Sequence, residues 1–140
     1  CRSPAAHGLF EAVAAGDPKF EIESSGLYHG HHGELPDPRM RKHASRRGYS
    51  LTHRARPFLE SDFADFDIVV GMDDANISAL RRMAPSVEDE AKIVPMIDFV
   101  ADKRGFDYIP DPYYEGAEGF ELVLDLLEDG CRNMYEALKK

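Results

Sequence analysis

Between Asp67 and Met72 the chain holds an uninterrupted apolar run, Ile68-Val69-Val70, that leads directly into Asp73. A strand with one wet face alternates apolar and polar residues, whereas a strand covered on both faces has no need to. The run therefore suits a buried strand of a parallel sheet, and a helix is predicted from Asp73 through Leu80. Lys92 to Met96 repeats this strand-to-helix logic in shorter form. A third strand is expected at Phe20 and Ile22, which alternate with Glu21 and Glu23 and run into the small residues Ser24, Ser25 and Gly26.

The remaining signals are helical. Ser3-Pro4 reads as a helix start, with Ser as N-cap and Pro at the first helical position, for a run from Ala5 to Ala15 that places Leu9, Phe10 and Val13 on one side. Gly16-Asp17-Pro18 should end it. Asp37-Pro38 starts a second helix through Met40, His43 and Ala44, stopping at Gly48. Arg39, Arg41, Lys42, Arg46 and Arg47 give that helix a charged outer face. From Glu118 to Lys139 the residues Phe120, Val123, Leu124, Leu127, Cys131, Met134, Tyr135 and Leu138 recur at helical spacing, as an amphipathic helix laid on a core requires. Asp98 to Pro112 reads as loop.

Strands alternating with helices predict a single α/β domain over residues 1–140, with an open parallel sheet and helices on both faces. A ligand of such a sheet sits at the C-terminal ends of the strands, against the N-terminus of a following helix. A net charge of −9 provides no positive field to draw in nucleic acid. No stretch approaches the roughly 18 apolar residues of a membrane span, and no basic segment followed by an apolar run opens the chain. The two cysteines, Cys1 and Cys131, have no neighbours at zinc or disulfide spacing. A cytoplasmic protein without a membrane or nucleic-acid partner is expected.

Two short motifs carry chemistry. The chain opens with Cys1-Arg2-Ser3-Pro4-Ala5-Ala6, and Asp111-Pro112-Tyr113-Tyr114 stands near its other end. Each has a plainer reading on its own, a capped helix and an Asp-Pro turn. Together they resemble the low-molecular-weight protein tyrosine phosphatases, whose phosphate loop has the form Cys-x5-Arg-Ser/Thr and whose acid loop is Asp-Pro followed by aromatics. Further segments resemble the same family in the same order: Ile22 to Gly26, Tyr49 to Arg56, and Met72-Asp73-Asp74-Ala75-Asn76.

The resemblance implies a set of roles. Successive backbone N–H groups at a helix start cradle a dianion, and Arg2 adds a bidentate fork. Cys1 and Ser3 belong to that phosphate-binding loop, Ser3 as a hydrogen-bond donor to the thiolate. The Cys-x5-Arg pattern puts the nucleophile ahead of Cys1, so the natural protein is expected to begin with a further strand and the first half of the loop, which would bring the sheet to four strands. Asp111 is the general acid for the leaving phenolate and later the base toward water. Tyr28, His31, Tyr113 and Tyr114 line the substrate cleft, and Ser24, His53 and Asp73 fix the phosphate loop.

The implied reaction is hydrolysis of phosphotyrosine in proteins, or of small aryl phosphates, through a phosphocysteine, with no metal or organic cofactor and by a monomer or weak dimer. His29, His31 and His32 lack the carboxylate or cysteine partners of a metal site and read as a solvated specificity loop. Arginine phosphatases and arsenate reductases of the same fold remain alternatives, as does a phosphate- or phosphopeptide-binding module without catalysis.

Overall fold

The computed structural model describes residues 2–14, 17, 20–26, 35–54, 56–112 and 116–139. Its elements run α1 (Arg2–Ala14), α2 (Pro38–Arg46), α3 (Asp62–Asp65), β1 (Val69–Gly71), α4 (Asp74–Met83), α5 (Val87–Glu90), β2 (Ile93–Pro95), a 3-10 turn (Met96–Phe99) and α6 (Ala117–Leu138). β1 and β2 are parallel, with Val69 opposite Ile93 and Gly71 opposite Pro95. Because successive strand residues face opposite ways, β1 feeds two apolar clusters. Val69 joins Phe58, Phe63, Leu80 and Ile93 on one side. Val70 faces the larger core on the other, built chiefly from α1, α2 and α6.

Helix α6 is the floor of that core, and Val123, Leu124, Leu127 and Cys131 are fully buried, as its periodicity predicts. Leu9 and Phe10 of α1 lie in the same cluster. An aromatic group of Phe10, Phe20 and Tyr135 closes one end, with ring centroids 5.3–6.1 Å apart. In α2, Asp37 caps the helix by accepting from the Arg39 N–H at 2.8 Å, Pro38 occupies the first turn, and Gly48 follows at φ +89°.

The basic face of α2 is partly spoken for. Arg47 reaches α6 and pairs with Glu121, Asp125 and Glu128. Burial by itself would lower the Arg47 pKa, but hydrogen bonds to these carboxylates outweigh it and raise the pKa. His43 donates to Glu121 at 2.7 Å and stacks on Phe120.

Three expectations need correction. Helix α1 begins at Arg2, so Ser3 and Pro4 lie inside its first turn rather than at the cap and first position. Proline is tolerated there because the first N–H groups of a helix have no intrahelical acceptor. Residues 20–25 form no ladder, and Gly26 makes only an isolated parallel bridge to Pro57. Alternation still turns Phe20 and Ile22 onto the core, but a strand also needs a hydrogen-bonded neighbour, and none of the described residues supplies one to 20–25. The sheet therefore has two strands among the described residues, fewer than predicted. After β2 comes the 3-10 turn rather than an α-helix, packed so tightly on α6 that a Cβ on Gly130 would stand 3.1 Å from Met96 Sδ.

Candidate active site

The site grows from the C-terminal end of β1. After Gly71, the chain turns through Met72 into Asp73, which caps α4 by accepting from the Asn76 N–H through Oδ1 at 2.8 Å. Asn76 in turn accepts from the Met72 N–H at 3.2 Å. The cap leaves Oδ2 of Asp73 for a second partner, and Arg2 supplies it through Nη1 at 2.7 Å. The same Nη1 donates to the carbonyl of Ile109, also at 2.7 Å. Ile109 closes the ring by donating its own N–H to Met72 O at 2.8 Å.

This arrangement is well shielded, since the Arg2 side chain is 15% and Asp73 24% exposed. Burial pushes the Asp73 carboxyl up, but the Asn76 N–H, the Arg2 hydrogen bond and the Arg2 charge together hold it below the usual range. Asp73 is thus a carboxylate at neutral pH, and the guanidinium is locked by two long-range bonds at the first turn of α1.

Asp111 lies two residues past Ile109 and is exposed, with Pro112 beside it fully buried. The loop carrying Asp111 is therefore tethered on both sides, to β1 and Arg2 through Ile109 and to the core through Pro112. Ser3 is half-buried in the first turn of α1, next to Arg2. Cys1, Tyr28, His31, Tyr113 and Tyr114 lie outside the described residues.

Arg2, Asp73 and the Asp111 loop are brought together; Ser24 and His53 contact α1 further along, at His7 and Glu11. Ser24 Oγ is 2.8 Å from His7 Nδ1, and His53 Nε2 is 2.8 Å from Glu11 Oε1. The His7 and His53 rings stack with centroids 3.6 Å apart. These two residues thus brace the middle of α1, while Asp73 braces its start. His7 and Glu11 were not singled out from the sequence, although their four-residue spacing on a helix places them on one face. The Ile109 carbonyl was missed because a backbone acceptor has no side-chain signature.

Another concavity, about 450 Å³, is lined by Glu21, Glu23, Arg56, Asp62, Asp65 and Phe66. Its four carboxylates around one arginine suit no phosphate, and Arg56 is already paired with Asp62 at 3.0 Å. No described helix is long and apolar enough to cross a membrane.

Comparison with known proteins identifies the family. The sequence profile of the family described as low molecular weight phosphotyrosine protein phosphatase matches residues 1–140. A low molecular weight protein-tyrosine-phosphatase of Streptomyces coelicolor is 37% identical, over 100% of this chain and 88% of its own. A crystal structure of a protein tyrosine phosphatase from Entamoeba histolytica, with Hepes in the active site, superposes with a TM-score of 0.93 at 37% identity, covering 99% of this chain and 90% of that one. The crystal structure of YfkJ from Bacillus subtilis gives a TM-score of 0.89 at 34% identity, over 99% of this chain and 87% of the other. With a profile match from end to end and relatives at this level of identity, the chain belongs to the low molecular weight phosphotyrosine protein phosphatase family.

Proposed function

We propose that the protein hydrolyses phosphotyrosine in proteins, and aryl phosphates generally, with Arg2 as the phosphate-binding fork and Asp111 as the general acid and base. The observation that carries this reading is the bridge from Arg2 to both Asp73 and the Ile109 carbonyl. An arginine has five N–H donors, and both bonds spring from Nη1. Nε and Nη2 therefore form the edge with which Arg2 engages two phosphate oxygens side by side. The same contact sets the distance between the phosphate site and the loop that bears Asp111, so one residue fixes both the anion and the acid.

In this mechanism a thiolate from a cysteine ahead of Cys1 attacks phosphorus in line, and Arg2 and the α1 N-terminus hold the equatorial oxygens. Asp111 gives its proton to the departing phenolate. Water, deprotonated by Asp111, then releases phosphate from the cysteine. Cys1 and Ser3 belong to the loop around the anion, and Tyr28, His31, Tyr113 and Tyr114 are read as walls for the aromatic ring. The chemistry of these steps asks nothing of a metal or an organic cofactor.

Initial rates with p-nitrophenyl phosphate in the presence of a chelator test the reading. Arg2→Lys replaces a planar fork with a point charge, and Asp111→Asn removes the transferable proton, a loss of about 10²–10⁴-fold in general acid catalysis. Both variants are expected to stay folded and lose turnover, with Asp111→Asn recovering most on substrates whose leaving group needs no proton. Full activity in either variant would overturn the assignment.

A further inference from the structure

We infer that His7, Glu11 and His53 form a binding site for one Zn²⁺ ion on the flank of α1. Their ligand atoms all lie within 4.8 Å of one another. Glu11 Oε1 stands between the two imidazoles, 3.3 Å from His7 Nε2 and 2.8 Å from His53 Nε2. A tetrahedral zinc with bonds of about 2.0–2.1 Å separates its ligand atoms by about 3.3 Å, equal to the Glu11–His7 separation and longer than the Glu11–His53 one. Two nitrogens and one carboxylate oxygen are a zinc donor set, whereas Mg²⁺ prefers all-oxygen surroundings.

The independent sign is His7 itself. Its side chain is 1% exposed, and its Nε2 is a buried polar atom with no hydrogen-bond partner, facing the Glu11 carboxylate without hydrogen-bond geometry. The Nδ1 of the same ring lies 2.8 Å from Ser24 Oγ. When Nδ1–H donates to that hydroxyl, the Nε2 lone pair faces the carboxylate and is available to a metal ion. A hydroxyl or carbonyl on the far nitrogen is also how metal-binding histidines are held in tautomer and orientation.

His7 is the fixed ligand. His53 and Glu11, 41% and 46% exposed, are the adjustable ones and leave a fourth position open to water. The stacked rings, 19° from parallel, aim their lone pairs side by side, so zinc binding turns the exposed His53 ring out of the stack. The ion would staple α1, which starts at Arg2, to the segment after α2 that carries His53.

The test is titration of the chelator-stripped full chain with ZnCl₂, followed calorimetrically, and with Co²⁺, followed by its visible d–d absorption. His29, His31 and His32 are replaced by Ala beforehand so that the histidine-rich segment contributes nothing. One equivalent of Zn²⁺, four-coordinate Co²⁺ bands and no response to Mg²⁺ are expected. His53→Ala and Glu11→Gln alter exposed side chains and should leave the fold intact while weakening Zn²⁺ binding. Ser24→Ala, which only removes the positioning bond, should weaken it by about 10–100-fold. No stoichiometric Zn²⁺ binding, or binding that His53→Ala leaves unchanged, would overturn the inference whether or not the protein is a phosphatase.

Discussion

Arg2 and Ile109, 107 positions apart in the chain, are joined by a 2.7 Å hydrogen bond from the guanidinium to a main-chain carbonyl. No side-chain substitution at Ile109 removes that acceptor, so the position of the loop that bears Asp111 follows the guanidinium. The guanidinium in turn follows Asp73, the other acceptor of the same nitrogen. Moving Asp73 therefore tests the whole assembly without touching a reacting group.

Asp73→Asn should separate the two duties of that residue. The amide oxygen still caps α4 through the Asn76 N–H, so stability should change little, whereas the charge-assisted bond to Arg2 is lost. Hydrogen bonds to charged groups are worth about 1.5–3 kcal/mol, which corresponds to roughly a tenfold to hundredfold drop in kcat/KM for p-nitrophenyl phosphate. Asp73→Ala removes the cap as well and should also cost about 0.5–2 kcal/mol of unfolding free energy. Equal kinetics in wild type and Asp73→Asn would mean that Arg2 is positioned without this anchor.

Acid should destabilise the fold in two stages. The folded His7 pKa lies below its ordinary 6.5 because of burial and the neighbouring His53, so the unfolded chain takes up that proton first. The associated stability is complete above 6.5 and is lost as pH falls through the folded value. Asp62 and Asp73 begin the second stage below 3.8: for each, burial raises the pKa but hydrogen bonds from Arg56 and the Leu59 N–H, or from the Asn76 N–H and Arg2, more than reverse it. Urea midpoints across pH in chelator should show both declines. His7→Gln should flatten the upper one alone, and Asp62→Asn should reduce the lower.

Cys131 should be silent in thiol chemistry while the protein is folded. It is fully buried in α6, and desolvation pushes its pKa up to about 12. Its Sγ lies 3.6 Å from the Ala6 carbonyl, and no described cation is there to stabilise a thiolate. Iodoacetamide should leave it unmodified in the native protein and label it fully in guanidinium, read by peptide mass. Native labelling at Cys131 would mean that the α1–α6 interface opens on the timescale of the reaction.

Local sequence logic reached the elements whose stability is local. The α6 stripe, the Asp37-Pro38 start and Asp73 ahead of α4 are set by helical periodicity and by caps within three residues of the helix. Residues 20–25 resisted the same treatment because alternation specifies a face but not a neighbour, and the strand label depends on the neighbour. The single-turn helices α3 and α5 carry too few residues for a periodic signal. Arg2 and Asp73 were legible as motif residues, and their contact follows from the parallel order of the fold, which sets the first turn of α1 beside the end of β1. The pairing of Ser24 with His7 rather than with the first turn of α1 was not legible, since a serine hydroxyl accepts several partners and tertiary packing chooses among them.

Gly71→Ala should report how closely β1 and α4 must pack to place Asp73. A Cβ at Gly71 would stand 2.6 Å from Ile77 Cδ1 and 3.2 Å from Ile77 Cγ1, with Asn76 Cβ next at 3.4 Å. The first contact involves the end of a side chain, but Ile77 is itself buried and β-branched, so it has few rotamers into which to retreat. Overpacking of this kind costs about 1–3 kcal/mol, and the strain falls on the first turn of α4, where Asn76 both receives the Met72 N–H and donates to Asp73. A lower urea midpoint together with a raised KM for p-nitrophenyl phosphate is expected, and the double variant Gly71→Ala/Ile77→Val, which gives back a methyl group, should recover part of both. Loss of stability with unchanged KM would show that α4 can shift on β1 without disturbing the arginine.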